Sequence, residues 1–507
     1  MRRVVGLTGL GVDLRAVLNL VGALLRYLSV AFVFPAALAA GYGESVWPFV
    51  ITGGVLAAVG IGLEAVTAGK EQVGAREGFL VVALVWLLVP AFGFLPYVLA
   101  DESQLGNPVN AFFESMSGFT ATGATILTDI DGLDRSLGMY RQFSHWLGGM
   151  GIIVLAVAVL PRLRIGGRQL LESELAGPQE LERLGATIRE TARRLWVLYV
   201  GLTALCVVGL AALGWSGVDP AMSLFEAVAH AFSALALGGF STRSESMAAF
   251  APASQWLVLV FIVLAGVNFL RLYRLFIQRS GRVVARDEEL RLYLAFLLVG
   301  SGLLVLEVFE SGIASGEEAV RNAVFHAVSI MTTTGFAVSD YTQWSALALM
   351  TLLVLMFVGA SAGSTGGSIK VVRHLLLFRL VRRELEHAVH REAVVPVRLS
   401  GRAVDERALH SAVMFVAIYL AVFALGAVLL VVDAAVHGSL EVAAFDAIGA
   451  AAACLGNIGP AFGFAGPFGS YEPFSDLSTG VLTGLMWLGR LEIVPVVVLL
   501  TRSYWRA

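Results

Sequence analysis

Long runs without charge constrain this chain more than any other feature. Apolar windows fall near residues 20–41, 46–67, 78–99, 140–161, 194–215, 253–276, 290–310, 342–359, 368–381, 408–433 and 478–503. Most approach the ~20 residues that an α-helix needs to cross ~30 Å of hydrocarbon. Inside a bilayer every backbone amide must be satisfied within the protein, and a helix does this segment by segment. The windows at 342–359 and 368–381 are short and flank a Gly/Ser-rich break, so they read as one interrupted span. Of the 507 residues 57% are hydrophobic and 14% charged, where soluble domains carry about 25% charged residues. The fold class expected is an all-α, multi-pass membrane protein.

Charge sorts the connections between spans. Basic residues gather at Arg162, Arg164, Arg168, Arg183, Arg189, Arg193 and Arg194, again from Arg271 to Arg291, and again from Lys370 to Arg407. Acids occupy the alternate segments: Asp101, Glu102, Asp129, Asp131, Asp134, Glu317, Glu318, Glu472 and Asp476. The positive-inside rule places the Arg-rich linkers in the cytoplasm. Interrupted as they are by spans, these basic runs read as topology signals, and no nucleic-acid partner is expected. Arg2 and Arg3 precede an apolar run in which "AALAA" mimics a signal-peptide cleavage site. Arg26 interrupts that run, however, and the span at 46–67 follows, so a retained first helix is expected. Cys206 and Cys454 lie in apolar surroundings and suggest neither a disulfide framework nor a metal site.

A short unit recurs four times between the spans. It reads "AFFESMSGFTATGAT" from Ala111, "SLFEAVAHAFSALALGGFS" from Ser223, "AVFHAVSIMTTTGFA" from Ala323 and "AAFDAIGAAAACLGNIGPAFG" from Ala443. Each begins with Phe and a polar residue: Phe113-Glu114, Phe225-Glu226, Phe325-His326 and Phe445-Asp446. Each then runs helix-like to a glycine, aligned by eye as Gly123, Gly238, Gly335 and Gly459. "HWLGGMGI" from His145 is echoed by "MWLGRLEI" from Met486. The chain therefore reads as two N-terminal helices (1–70) followed by four copies of span, re-entrant helix, loop and span. These occupy 71–170, 171–280, 281–390 (with the break at 359–368) and 391–507.

Non-helical backbone within a bilayer is tolerated only where protein buries it or where it lines water. Four such loops are expected to meet around one axis. Carbonyl oxygens aimed at that axis can replace the water around a monovalent cation, and glycine permits the backbone angles this needs. Close helix packing would explain one Gly/Thr loop; fourfold recurrence favours a filter.

These units, with "HWLGGMGI", "GASAGSTGGSIK" and "GRLEI", resemble the Trk/Ktr/HKT superfamily of potassium transporters. The two extra N-terminal helices make the chain most similar to the TrkH-type membrane subunit. The resemblance implies four pseudo-symmetric helix–pore-loop–helix repeats around a central ion pore. It implies filter residues Thr120, Ala121, Thr122, Gly123, Leu237, Gly238, Thr333, Thr334, Gly335, Asn457, Ile458 and Gly459. Potassium is expected at Thr122, Gly123, Leu237, Gly238, Thr334, Gly335, Ile458 and Gly459. Glycine at all four loop positions resembles the potassium-selective pattern, whereas sodium-passing relatives often have serine at the first. The second loop lacks the usual hydroxyl before its glycine, and Ala121 stands where Thr is commoner.

"GASAGSTGGSIK" holds four glycines and four Ser/Thr residues, and each glycine costs a helix interior roughly 1 kcal/mol. It reads as a kink, a small-residue contact through Gly359 and Gly363, or a movable constriction below the filter. The resemblance supports the constriction, an intramembrane gating loop containing Gly359, Gly363, Gly366 and Gly367. Lys370, at its cytoplasmic end, reads either as part of that gate or as a marker of the membrane boundary. Arg490 falls mid-span, where charge is expensive and faces a cavity or a partner. Glu492, two residues on, points elsewhere on a helix, and the resemblance implies that the arginine projects into the ion path beneath the filter. His145, His230 and His326 read as packing or hydrogen-bonding residues. Glu114, Glu226 and Asp446 read as carboxylates complementing helix dipoles.

The function expected is potassium uptake across the bacterial or archaeal cytoplasmic (inner) membrane, by a channel-like or symporter mechanism. A sodium-permeable or K/Na-cotransporting relative is the near alternative. A multi-pass membrane enzyme is the remote one, since no HExxH and no paired aspartates occur within spans, and enzyme activity is not expected. Potassium is the transported ion that the resemblance implies. No organic cofactor is expected, since the chain has no P-loop or Rossmann glycine pattern. The resemblance further implies a homodimer, membrane lipid around it, and a separate cytosolic nucleotide-binding regulatory ring of RCK type (TrkA-like).

Overall fold

Apolar runs that must satisfy their own amides produce helix almost throughout. The computed structural model describes residues 11–69, 74–100, 103–151, 188–281, 286–391, 395–437 and 444–506. The basic positions Arg162, Arg164, Arg168 and Arg183 and the acids Asp101 and Glu102 lie outside the described residues.

The chain starts with α1 (Leu14–Ser29), which runs through a single tight turn into α2 (Val33–Tyr42), and α3 (Trp47–Val66) returns beside them. Asp13 caps α1 by accepting from the amides of Arg15 and Ala16. Gly22 and Gly60 sit back to back, so a methyl group on either would lie within 2.8 Å of the other's carbonyl oxygen. That close approach draws the two helices together. Arg26, which interrupts the first apolar run, is answered by Glu64 of α3 at 2.9 Å.

The remaining helices form four successive groups. The first holds α4 (Ala75–Gly93), α5 (Leu95–Leu99), the short α6 (Pro108–Phe119) and α7 (Arg135–Gly149). In the second, α8 (Ile188–Trp215) precedes the short α9 (Leu224–Ala236), α10 (Pro252–Ala265) and α11 (Phe269–Phe276). The third has α12 (Glu288–Glu310), α13 (Gly316–Met331), α14 (Ala346–Met356) and α15 (Val371–Val389). After a two-residue hairpin, β1 (Arg398–Leu399) with β2 (Arg402–Ala403), come α16 (Glu406–His437), α17 (Ala444–Gly456), α18 (Asp476–Arg490), α19 (Val494–Leu499) and α20 (Arg502–Trp505). Among the described residues, six helices are long and apolar enough to cross a membrane, or seven with the bent pair α10–α11. Apolar side chains such as Val208, Leu298 and Val354 face outward, while α6, α9, α13 and α17 are buried along most of their length.

A break in only one span is expected from the sequence, but the interruption recurs. Helix α10 stops at Gly266 and the chain turns by 107° into α11, whose start Asn268 caps. Helix α14 stops at Met356 and α15 begins at Val371. Helix α18 stops at Arg490, and Glu492 and Ile493 both take left-handed φ values of 53° and 58°. Pro495 explains that stop, because its ring would clash with the carbonyl of residue 491 in a continuing helix. Arg490 therefore stands at a helix terminus rather than mid-span.

Candidate functional site

The four short helices end in the same way. The amides of Ala121, Leu237, Thr333 and Asn457 bond back to the carbonyls of Gly118, Ala234, Ile330 and Cys454 at 3.0–3.2 Å. The amides of Thr122, Gly238, Thr334 and Ile458 reach Ser117, Ser233, Ser329 and Ala453 at 2.7–3.0 Å. This paired bonding is the Schellman ending, which demands one left-handed residue. It is Ala121 (φ 52°), Leu237 (54°), Thr333 (62°) or Asn457 (53°). Two residues later a glycine again takes positive φ: Gly123 (86°), Gly239 (80°), Gly335 (82°) and Gly459 (102°).

Those glycines close a ring. A methyl group on Gly123 would strike the carbonyl oxygen of Gly238; on Gly239, that of Thr334; on Gly335, that of Ile458. On Gly459 it would lie 2.7 Å from the carbonyl oxygen of Thr122, returning to the first loop. A side chain at any of the four positions would push adjacent loops apart and would also be strained by its φ. The four glycines line one cavity of about 50 Å³ on the side away from the short helices.

The second loop enters this ring one residue later than the sequence alignment suggests. Gly238 aligns by eye with the other three loop glycines, but backbone angles and bonding make Gly239 their counterpart. Two adjacent glycines leave a one-residue ambiguity that only φ resolves. Gly238 instead corresponds to Thr122, Thr334 and Ile458. The space a side chain would fill there belongs to the ring of His145, which stacks on Phe240 at 4.1 Å. Elsewhere the side chains of this layer bond to one another. The hydroxyls of Thr120 and Thr122 lie 2.7 Å apart, as do those of Thr332 and Thr334, and Asn457 donates to Thr122 at 2.9 Å.

The polar residue after each Phe catches the strand leaving the ring. Glu114 accepts from the Thr125 hydroxyl and the Ile126 amide at 3.0 Å and pairs with Arg141 at 2.7 Å, both side chains fully buried. Glu226 accepts from the Thr242 hydroxyl and pairs with Arg243 at 2.9 Å. His326 accepts the Val338 amide at 3.4 Å, and the Asp446 carboxylate lies against Gly463. The dipole reading of Glu114 therefore gives way to a brace; Glu226 and Asp446, in the first turns of α9 and α17, also face the returning strand. His230 bonds Ser241 at 2.9 Å, His145 bonds Ser233 at 3.2 Å, and no group of three or more metal-ligand side chains occurs among the described residues.

On the opposite side of the ring the segment Gly359–Lys370 forms a plug, buried throughout except for half-buried Ser364. It is hydrogen-bonded from several directions, unlike a loosely packed kink. Thr365 donates to the Leu235 carbonyl at 3.0 Å, and the Gly367 amide to the Thr333 hydroxyl at 2.8 Å. A methyl on Gly366 would meet the Thr332 carbonyl at 2.8 Å, and one on Gly367 would strike that of Gly456. Gly359 packs on the Gly367 carbonyl, and Gly363 (φ 73°) accepts the Phe269 amide at 3.0 Å. Lys370 is buried and donates back to the Gly366 carbonyl, within the same segment.

Arg490 completes the plug. It donates to the Thr365 carbonyl at 2.8 Å and to the Gly148 carbonyl at 2.8 Å, with its guanidinium 5.4 Å from the Trp86 ring centre. Glu492 pairs with Arg373 of α15, whose guanidinium also lies 3.7 Å from the centre of Phe415. Three supporting residues escaped sequence reasoning. Asn268 donates to the Ala362 carbonyl at 2.6 Å, and Glu289 accepts the Ala362 amide at 2.7 Å. Arg271 pairs with Glu289 at 2.6 Å and with Asp287 at 2.7 Å. The available signal was the position of Arg271 beside a break, which basic clustering disguised as a topology charge.

The profile of the TrkH family, described as a cation transport protein, matches residues 48–506. The chain is 36% identical over 498 residues to the Trk system potassium uptake protein TrkH of Escherichia coli (strain K12), covering 97% of this chain and 99% of that protein. It is 35% identical over 500 residues to the protein of the same name from Halomonas elongata, covering 97% and 100%. The crystal structure of the potassium transporter TrkH from Vibrio parahaemolyticus superposes with a TM-score of 0.84 at 34% identity, covering 98% of this chain and all of that one.

Proposed function

Because the chain belongs to the TrkH family of cation transport proteins, we propose that it takes up potassium across the cytoplasmic membrane through the ring of four loops. The observation that carries this reading is the closure of the ring, in which each glycine packs against the carbonyl of the next loop. The names of the relatives, potassium uptake proteins, support the choice of ion.

In this reading a dehydrated ion passes first the carbonyls of Gly123, Gly239, Gly335 and Gly459, and then those of Thr122, Gly238, Thr334 and Ile458. Ala121, Leu237, Thr333 and Asn457 form the innermost layer. In that layer the side chains of Thr333 and Asn457 bond sideways, to the Gly367 amide and the Thr122 hydroxyl, and the backbone oxygens replace water around the ion. The C-terminal ends of the four short helices add partial negative charge beneath the ring. The segment Gly359–Lys370 is then a gate in its closed position, held by Arg490 through the Thr365 carbonyl. Opening requires that segment to leave the axis. The membrane potential supplies about 2.3 kcal/mol per charge per 100 mV.

The functional division follows: 1–70 as flanking helices and 71–170, 171–280, 281–390 and 391–507 as four quarters of one pore. We extend the proposal to a homodimer and to a cytosolic nucleotide-binding ring as the partner that moves the gate. Uptake of labelled rubidium by the purified protein in liposomes tests the central part. Potassium should compete strongly and sodium weakly. Equal competition by sodium would replace the reading with a sodium-permeable carrier, and absence of uptake both in the wild type and in Arg490→Ala, which frees the closed gate from its bond to Thr365, would overturn it.

A further inference from the structure

Tyr471 grips the seam where the fourth loop closes on the first. Its hydroxyl donates to the Gly459 carbonyl at 2.7 Å, and its amide donates to the Thr125 carbonyl at 2.9 Å. Its ring packs 5.5 Å from Phe113 and 5.8 Å from Phe474, and the side chain is 2% exposed. Gly459 is also the ring glycine with the most divergent φ, 102° against 80–86° for its counterparts. Among the described residues, no side-chain hydrogen bond reaches the carbonyls of Gly123, Gly239 or Gly335.

Selection among alkali ions by a carbonyl ring depends on the number and field strength of its oxygens. A carbonyl oxygen offers two lone pairs. A phenol that donates to one of them withdraws electron density and weakens the pull of that oxygen on an ion. The same bond holds the oxygen in place against collapse around a smaller ion. Both effects act against sodium, the smaller and more strongly hydrated cation. Resting on the reading of the ring as a cation filter, we propose that Tyr471 is a positioning residue for selectivity: its hydroxyl fixes and weakens the Gly459 carbonyl and so raises discrimination against sodium.

Tyr341 supplies the control. It is fully buried and donates to the Ala461 carbonyl at 2.9 Å, two residues further along the same loop. Tyr341→Phe therefore deletes the same kind of bond without touching Gly459.

The experiment uses the full chain in proteoliposomes under an inside-negative potential. Uptake of labelled rubidium is titrated with potassium and with sodium for wild type, Tyr471→Phe and Tyr341→Phe. Wild type should need far more sodium than potassium for half inhibition. In Tyr471→Phe that sodium-to-potassium ratio should fall by about three- to tenfold while uptake persists; in Tyr341→Phe it should stay at the wild-type value. Should Tyr471→Phe melt well below Tyr341→Phe, Tyr471→Met, which also lacks the donor, replaces it with the same expectation. An unchanged ratio in the Tyr471 variants, or an equal fall in Tyr341→Phe, overturns the inference. A wild-type protein with no ion preference would instead defeat the filter reading itself.

Discussion

The ring and the plug lie in contact, yet they are built by different means. In the ring, four stretches of backbone adopt one conformation, and each glycine rests on a neighbour's carbonyl. The plug occurs once and is tied by side chains from unrelated places, Asn268, Glu289, Thr333 and Arg490, with its own Lys370 folded back on it. Repetition of backbone makes an opening whose width cannot drift, because moving one loop displaces the next. Individual side-chain bonds, worth about 0.5–1.5 kcal/mol each or about 1.5–3 with a charged partner, make a seat that can be left. The contrast separates a rigid element from one suited to move.

The largest expected effect attacks the ring. Gly335→Ala combines a left-handed strain of about 1–2 kcal/mol with a clash on the Ile458 carbonyl. Rubidium uptake should drop more than about tenfold. Gly217→Ala carries similar strain (φ 76°) with open space around it, and uptake should not change. Equal loss in both would mean that strain, not ring closure, matters.

Braces behind the ring come next. Glu114→Ala strands the fully buried Arg141, which should cost about 3–5 kcal/mol and lower the melting temperature in detergent. Glu226→Ala should cost about 1 kcal/mol or less, since Arg243 is 42% exposed and also pairs with Asp131. A reversed order would show that the first loop is not the more rigidly braced.

Effects on the plug should have the opposite sign. Arg490→Ala removes a bond to Thr365 and, if the proposed ion path passes about 6 Å from it, a repulsion of roughly 1–3 kcal/mol at an effective dielectric constant of 20–40. Uptake should rise about tenfold, and unchanged or lower flux in a well-expressed variant would remove the arginine from the gate. Arg373→Gln loosens α15 from Glu492, a partly buried pair worth about 1 kcal/mol. A rise in uptake of about two- to fivefold is expected by the same assay.

The same contrast explains what could be read from sequence. The ring was legible because its unit is written four times, and recurrence converts four weak Gly/Thr signals into one strong signal. Its register slipped only at Gly238-Gly239, where identical residues hide which one carries positive φ. The plug was legible as glycine-rich chain and as an arginine within an apolar window, but its fastenings were not. Glu289, Asn268 and Arg271 gain meaning only when the bent α10–α11 pair and α12 bring them against Ala362. Sequence order left Lys370 open between gate and boundary, because it does not reveal a side chain folded back on its own loop. Tyr471 sits twelve residues beyond the glycine it holds, a separation with no periodic signature.

Anomalous scattering from crystals grown with rubidium or thallium would test the central claim most directly. The account predicts density on the axis, encircled by the carbonyls of Thr122, Gly238, Thr334 and Ile458. Ions found only outside the four loops, with none between them, would contradict it.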